Sequence, residues 1–155
     1  MLFEQRLSIA APAEDVWNLM SDVPRMSACL PGLEGVREEA PDTFTGALRV
    51  TVGPVTVRLE GRLHLAERDR ERLTTRLDVE AVDRRIRSSV RSSTTMRALP
   101  NGGDTDLHVR TDAAVLGKLG QLGQAVLRKK TDQMLAQFAA NMAAELARDH
   151  EGGAG

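Results

Sequence analysis

Residues 44–65 have the sequence FTGALRVTVGPVTVRLEGRLHL, which predicts two antiparallel strands joined by a tight turn. Before Gly53-Pro54 the apolar residues occupy even positions, and after this dipeptide they occupy odd positions. A two-residue turn therefore brings both apolar sets to one face of the sheet, as a strand pair with one buried face requires. The predicted pairs, from the turn outward, are Val52 with Val55, Val50 with Val57, and Leu48 with Leu59.

The same register sets Gly46 opposite Gly61 on the apolar face of this hairpin. Two missing side chains leave a gap there, and two explanations stay open. Glycines are placed where a sheet must bend sharply. A gap on the buried face of a sheet is also space for a ligand.

The segments around the hairpin complete an α+β pattern. Alternating apolar residues predict a first strand from Phe3 to Ile9. A short helix then begins at Pro12, which suits the first helical position, and Asp22 caps a second short helix. Alternation resumes after Pro31-Gly32 and gives six more strands in a meander.

The last predicted element is an amphipathic helix from Leu119 to Leu146, about 42 Å long. A sheet with one buried face needs a covering layer, and this helix is long enough to supply it. We therefore predict a seven-stranded curved antiparallel sheet wrapped around a long C-terminal helix, with two short helices after the first strand. Residues 1–148 are expected to form a single domain, and residues 149–155 a flexible tail.

Composition excludes several classes of function. With 21 basic and 22 acidic residues, 3% aromatic residues and no tyrosine, the chain lacks the charge and the stacking surfaces of a nucleic-acid-binding protein. Cys29 is the single cysteine, which fits a reducing compartment. Neither a signal peptide nor an apolar run long enough to span a bilayer is visible, so we expect a cytoplasmic protein.

Catalytic groups do not converge in the sequence. Strand parity points His64 and His108 away from the apolar face, and His150 lies in the predicted tail. Cys29 has no basic neighbour in sequence and is expected to be buried packing rather than a reactive thiol. No phosphate loop, nucleophile elbow or metal-ligand spacing occurs. We therefore predict no catalytic residues and no metal site, and expect a protein that is not an enzyme.

Hydroxyl groups on the predicted inner face are candidates for binding. If Val90 faces inward, parity also points Ser88, Ser92 and Thr94 inward. Their hydroxyls either bond to backbone or buried water, or orient the polar head of a ligand such as a quinone carbonyl. Trp17 is more typical of the core than of a ligand platform.

Gly117, Gly120 and Gly123 recur at the start of the predicted long helix, where each is unfavourable compared with alanine. Their spacing indicates either close packing or an opening through which a ligand enters. The expected cavity lining is Trp17, Leu48, Val50, Val57, Leu59, Ser88, Val90, Ser92, Thr94, Gly117, Gly120, Leu122, Gly123 and Val126. Nearby, the basic run 128–130 is either a solvated helix face or a contact for anionic headgroups.

Several motifs occur in a specific order from about Phe3 to Leu146. They are Pro12-x-Glu14-x-Val16-Trp17-x-x-Met20-x-Asp22, Cys29-Leu30-Pro31-Gly32-x-Glu34, Val52-Gly53-Pro54-Val55, Gly61, Thr105 and Gly117-Lys118-Leu119. This succession resembles the CoxG family of carbon monoxide dehydrogenase subunits, within the START and polyketide-cyclase (SRPBCC) superfamily. The resemblance implies a helix-grip fold with an internal apolar cavity.

The resemblance also implies partners. Family members are linked to molybdenum-containing hydroxylases of the carbon monoxide dehydrogenase type, to their recruitment to the membrane, and to the quinone that accepts their electrons. Some relatives continue into a C-terminal membrane-associating tail, whereas this sequence stops at Gly155. The expected location is the cytoplasm, with peripheral contact at the inner face of the membrane.

Three hypotheses follow. The first is a module that carries a quinone-like or lipid-like ligand, such as a menaquinone-like quinone, for a partner hydroxylase, with no tightly bound cofactor. The second is an adaptor that docks the hydroxylase at the membrane and leaves its cavity unused. The third is a cyclase-like or dehydrase-like enzyme, or a lipid-transfer protein, of the same superfamily.

Overall fold

The computed structural model describes residues 1–153, with side-chain surroundings through His150. In chain order the elements are β1 (Leu2–Ile9), α1 (Ala13–Met20), α2 (Val23–Ala28), β2 (Leu33–Ala40), β3 (Thr43–Val52), β4 (Val55–Asp69), β5 (Thr74–Asp83), β6 (Ser88–Asn101), β7 (Asp104–Gly117) and α3 (Gln124–Gly153). Within this part of the chain, seven antiparallel strands form one sheet in the order β1-β7-β6-β5-β4-β3-β2. The predicted α+β fold, with two short helices and a long C-terminal helix, is confirmed.

The hairpin of β3 and β4 has the predicted register. Val52 pairs with Val55 across the turn, and Leu48 pairs with Leu59. Gly53 adopts a positive φ of 57°, which a glycine accepts without strain. Farther from the turn, Gly46 pairs with Gly61 as expected. Apolar alternation and one tight turn were enough to fix this part of the sheet.

The start of α3 differs from the prediction. The helix begins at Gln124, not near Leu119, and a single 3₁₀ turn at Gly120–Leu122 precedes it. Gly117 and Gly123 have φ angles of 78° and 90°, outside the helical region. The glycines therefore build the loop between β7 and α3, and they impose no cost on a helix interior.

The predicted domain ends at residue 148, but α3 continues beyond it. The helix extends to Gly153, and residues 154–155 lie outside the described residues. The flexibility of residues 149–155 and the division into a single domain and a tail stay predictions.

Buried apolar side chains form two clusters among the described residues. The large cluster joins α1, α2 and the second half of α3 to the sheet, and its fully buried members include Leu19, Leu107 and Met142. The small cluster lies at the end of the sheet where α3 begins. Its members are Phe3, Val52, Val55, Val57, Leu59, Ala113, Leu119 and Leu127.

These clusters hold α3 at two separate places. Leu127 belongs to the small cluster, whereas Phe138 and the residues after it belong to the large one. Between Leu127 and Phe138, no residue of the helix is buried. Packing of the long helix is therefore interrupted in its middle.

Candidate ligand cavity

A cavity of about 240 Å³ lies against the inner face of the sheet, between the two clusters. Its floor is a cross-strand row of small side chains, which we call the small-residue row. Each member pairs with the next one across β3, β4, β5 and β6. The row consists of Gly46, Gly61, Ala81 and Val90. Three of these four side chains are only a hydrogen atom or a methyl group. The row therefore leaves empty space in front of it, whereas the neighbouring rows carry larger side chains.

Larger apolar side chains form the cavity walls. Two rows flank the small-residue row on the sheet, and α2, the following loop and β2 supply the opposite side. The wall residues are Val23, Ser27, Leu30, Leu33, Val36, Phe44, Thr45, Leu48, Leu59, Arg62, Leu63, Val79 and Ser92. The exposed Arg62 is the single ionisable residue among these described lining residues. A neutral, largely apolar molecule suits this surface best.

Two features of the structure meet at the glycine pair, namely a close approach of neighbouring strands and the open space of the cavity. A Cβ atom on Gly61 would lie 2.0 Å from the carbonyl oxygen of Glu80 and 2.6 Å from Cα of Ala81. β4 and β5 therefore approach each other at Gly61 more closely than any other residue allows. A Cβ on Gly46 would be 3.2 Å from Cγ2 of Val36, a tight but less severe contact. Both glycines also border the cavity.

Four residues of the predicted lining face this cavity. Leu48, Leu59, Val90 and Ser92 lie in the rows described above. Because all four are on the central strands, simple strand parity was enough to place them. The sequence therefore located the sheet side of the cavity.

The remaining apolar residues of the predicted lining pack elsewhere. Val50, Val57 and Leu122 belong to the small cluster or pack against it. Trp17 is buried in the large cluster, where the Arg70 guanidinium lies 5.0 Å from the centre of its ring. Trp17 is therefore a core residue in this structure.

Two of the three predicted inward hydroxyls are satisfied within the protein. The Ser88 hydroxyl accepts the backbone N–H of Leu119 at 2.9 Å. Thr94 shares a 2.9 Å hydrogen bond with the hydroxyl of Thr111 on the neighbouring strand. Ser88 therefore bonds to the backbone, as one of the two alternatives from the sequence had it, whereas the partner of Thr94 is another side chain. Ser92 is the one that borders the cavity.

The glycines at the end of β7 and in the loop after it do not border the cavity. A Cβ on Gly117 would lie 1.7 Å from the carbonyl oxygen of Arg87, and one on Gly120 would lie 2.3 Å from that of Val115. Close packing explains these two positions. Gly123 has open space around it, and Val126 on the first turn of α3 is exposed.

The wall formed by α2 and its loop was missed by sequence reasoning. Val23, Ser27 and Leu30 line the cavity from this side. Gly32 ends the loop with a φ of 85°, and a Cβ there would lie 2.1 Å from the carbonyl oxygen of Arg49. The Pro31-Gly32 dipeptide was a signal for this close approach to β3, because only glycine permits it.

The three histidines lie outside the cavity lining. His64 lies on the exposed face and shares a 3.1 Å hydrogen bond with Thr43, while His108 pairs in the sheet with Arg6 and Arg97. The exposed ring of His150 lies 3.5 Å from Asp15. In the described part of the chain, no group of three His, Cys, Asp or Glu side chains could hold a metal ion.

The thiol of Cys29 is enclosed at the end of α2. It contacts the carbonyl oxygen of Arg25 at 3.6 Å. Burial, and secondarily the charge of Glu145, raise the pKa of Cys29. The neutral thiol is therefore favoured, in agreement with a packing role.

An antiparallel sheet that grips a long C-terminal helix and leaves an apolar cavity defines the START-like, helix-grip class of folds. Within it, the CoxG family of carbon monoxide dehydrogenase subunits matches residues 6–147, and the chain belongs to this family. The resemblance carried by the sequence motifs is thus confirmed.

Solved structures share the fold at low sequence identity. A conserved protein from Geobacillus kaustophilus aligns with a TM-score of 0.86 at 18% identity, over 96% of both chains. A START superfamily protein from Mycobacterium smegmatis gives 0.66 at 13% identity, over 95% of this chain and 97% of that one. The Zhui aromatase/cyclase from Streptomyces sp. R1128 gives 0.65 at 20%, over 96% and 94%. No curated protein matches the sequence.

Among the described residues, no helix is both long and apolar enough to cross a membrane.

Proposed function

We propose that the protein binds a neutral apolar molecule, quinone-like or lipid-like, as an accessory protein of a molybdenum hydroxylase of the carbon monoxide dehydrogenase type. The observation behind this proposal is the apolar cavity over the small-residue row. The name of the family, a subunit of carbon monoxide dehydrogenase, supports the choice of partner. Binding would serve membrane recruitment of the hydroxylase or electron transfer to quinone.

The size of the cavity limits the ligand. An apolar cavity of about 150 Å³ holds one benzene molecule. The volume of about 240 Å³ here is therefore suited to a fused two-ring system or a short stretch of chain. A long isoprenoid tail would have to extend outside it. The ring of a menaquinone-like quinone is the part of such a ligand that we assign to the cavity.

Ligand handling is preferred over catalysis because of the cavity's chemistry. Among the described residues that line the cavity, the exposed Arg62 is the single ionisable one, and no acid–base pair lies beside it. General acid–base catalysis needs such groups within hydrogen-bond reach of the substrate. A cyclase-like activity would therefore have to rely on positioning alone.

One end of the molecule has a charge pattern that favours docking on an anionic surface. Residues 46–58, 84–93 and 113–131 contain no aspartate or glutamate. These segments meet in space, since Arg85 donates to the carbonyl oxygen of Thr56 at 3.1 Å and Leu119 N–H binds Ser88. We call this the basic end, and its cations include Arg84, Arg85, Arg87, Lys118, Arg128, Lys129 and Lys130.

Exposed apolar residues accompany these cations. Leu116 is 64% exposed on β7, directly before the loop that contains Lys118, and Val126 is exposed on the first turn of α3. Basic residues around exposed apolar side chains are typical of proteins that rest on anionic membranes. We propose that the basic end contacts the inner membrane surface, where a quinone ligand is available.

Binding of a soluble quinone tests the ligand proposal. Isothermal titration with 1,4-naphthoquinone should show one saturable site per chain. The absence of saturable binding would reject the ligand-binding role and favour the adaptor role.

Vesicle sedimentation tests the membrane contact separately. Lys118→Glu should weaken binding to phosphatidylglycerol vesicles about tenfold, since each cation near an anionic surface contributes on the order of 1 kcal/mol. Arg97→Glu, on the outer face of β6 away from this end, is the matched control. Equal losses for both variants, or equal binding of the wild type to phosphatidylcholine, would contradict the proposed contact.

A further inference from the structure

One buried hydroxyl in the cavity wall has no hydrogen-bond partner among the described residues. Ser27 on α2 is 5% exposed, and its side chain makes no hydrogen bond to any described residue. Other hydroxyls on or directly after helices of this chain bond to the carbonyl oxygen four residues earlier, as Thr131 in α3 does to Leu127 and Ser21 at the end of α1 does to Trp17. Ser27 therefore differs from them in leaving its hydroxyl free.

The free hydroxyl borders open space. In the described part of the chain, four buried polar side-chain atoms are completely enclosed without a hydrogen-bond partner. The oxygen of Ser27 is not one of them, so part of its surface is accessible. Since Ser27 lines the cavity and little of its surface reaches solvent, the accessible side of its hydroxyl faces the cavity. Buried polar groups normally find a hydrogen-bond partner, so a ligand is the natural source of one.

The position of Ser27 is fixed by its surroundings. Val23, one helical turn earlier, lines the same cavity, so this face of α2 points inward. Arg25 on the same helix binds Glu145 at 3.1 Å, and Asn141 donates to the carbonyl oxygen of Cys29 at 2.8 Å. Both contacts tie α2 to α3, so the hydroxyl is held in place before a ligand arrives.

We propose that the Ser27 hydroxyl donates a hydrogen bond to a carbonyl oxygen of the bound ligand and thereby selects oxygen-bearing ring systems over plain hydrocarbons. This inference rests on the proposed ligand-binding function. It adds a donor residue and an orientation, with the carbonyl of a ring ketone or quinone at the α2 wall. A charged ligand is disfavoured, because no described lining residue other than the exposed Arg62 offers a counter-charge.

Two ligands with the same carbon skeleton, one with two carbonyl oxygens and one with none, test this selection. 1,4-Naphthoquinone and naphthalene have the same fused rings, and isothermal titration measures both against the wild type, Ser27→Ala and Ser89→Ala. Ser89 is the control because it pairs with Val82 and Leu116 on the outer face. Ser27→Ala should weaken quinone binding about tenfold, as for one neutral hydrogen bond, and leave naphthalene binding unchanged.

The outcomes separate the two proposals. If the wild type and Ser27→Ala bind the quinone equally, or if both ligands lose affinity together, the role of Ser27 is wrong and the ligand-binding function stands. If the wild type binds neither ligand, the ligand-binding function itself fails. If Ser27→Ala lowers the melting temperature, the test is made with Ser27→Cys instead. Cysteine is close to serine in size, and its thiol is a weaker hydrogen-bond donor. This variant should then bind the quinone more weakly than the wild type.

Discussion

Two neighbouring regions of β4 and β5 show how one sheet builds both a core and a cavity. Leu65 pairs with Leu77, and both are buried in the large cluster. Four residues away, Gly61 pairs with Ala81 on the same inner face, and both border the cavity. The strands and their hydrogen bonds are continuous across the two regions. The volume of the side chains on the sheet, together with the element that covers them, therefore determines whether the space is filled or empty.

The covering elements reinforce this contrast. α1 packs on β6 and β7, and α3 packs on β1, so this side of the sheet is closely covered. The side formed by β2 to β5 is faced by the short α2 and its loop, which pack on β2. A six-residue helix cannot fill the space over the small-residue row. The cavity is thus a consequence of a short cover over small residues.

The largest contrast is expected from the same truncation made in the large cluster and in the cavity wall. Leu107→Ala removes a completely buried side chain from the large cluster and should lower the free energy of unfolding by about 3–5 kcal/mol. Leu48→Ala removes a half-buried wall residue beside existing space and should cost roughly 1 kcal/mol. Urea unfolding measures both values. Similar losses would mean that the cavity wall packs like the core.

The glycine pair allows a second comparison, within the cavity floor. Gly61→Ala forces a methyl group against the backbone of β5 and should cost about 3 kcal/mol. Gly46→Ala meets Cγ2 of Val36 at 3.2 Å and the carbonyl oxygen of Glu34 at 3.3 Å, which shifts of a few tenths of an ångström relieve, and it should cost about 1 kcal/mol. Thermal melts of both variants give the order. A neutral Gly61→Ala would show that the close approach of β4 and β5 does not depend on glycine.

A smaller effect is expected from acid, at the end of β5 beside the cavity. The buried Asp83 carboxylate accepts the backbone N–H of Arg58 at 2.9 Å and that of Arg85 at 3.1 Å. The first of these bonds is the main reason why the pKa of Asp83 is lowered. A lowered pKa stabilises the fold above the ordinary carboxyl pKa, and this contribution disappears as the pH falls through the lowered value.

The variant Asp83→Asn should isolate this contribution. At about pH 7 it should be less stable than the wild type, and near pH 3 the difference should shrink. Urea midpoints at both pH values measure it. A difference that is independent of pH would show that the charge of Asp83 does not hold β4.

Sequence patterns predicted the sheet well because its signals are local. Alternation and the Gly53-Pro54 turn placed Gly46 opposite Gly61, and parity placed Leu48 and Val90 on the inner face. The loop after β7 was mistaken for helix because Leu119 and Leu122 continue the helical spacing of α3. The positive φ angles that end this pattern follow from glycine's freedom, which spacing alone does not reveal.

The far wall of the cavity was beyond sequence reasoning. Ser27 and Val36 reach the cavity because α2 and β2 lie on the side opposite the small-residue row. The loop between them is held by the approach of Gly32 to Arg49, and the Pro31-Gly32 dipeptide indicates a close approach but not its partner. The sequence therefore supplied the floor of the site and missed its cover.

Filling the cavity tests the central claim most directly. Ala81→Leu adds apolar volume above the small-residue row, where Ala81 is half-buried and borders the cavity. Isothermal titration with 1,4-naphthoquinone and melting curves on the same samples compare it with the wild type. We predict one saturable site in the wild type, and loss of binding in Ala81→Leu with an unchanged or higher melting temperature. Equal binding by the two proteins, or none by the wild type, would contradict a ligand site over the small-residue row.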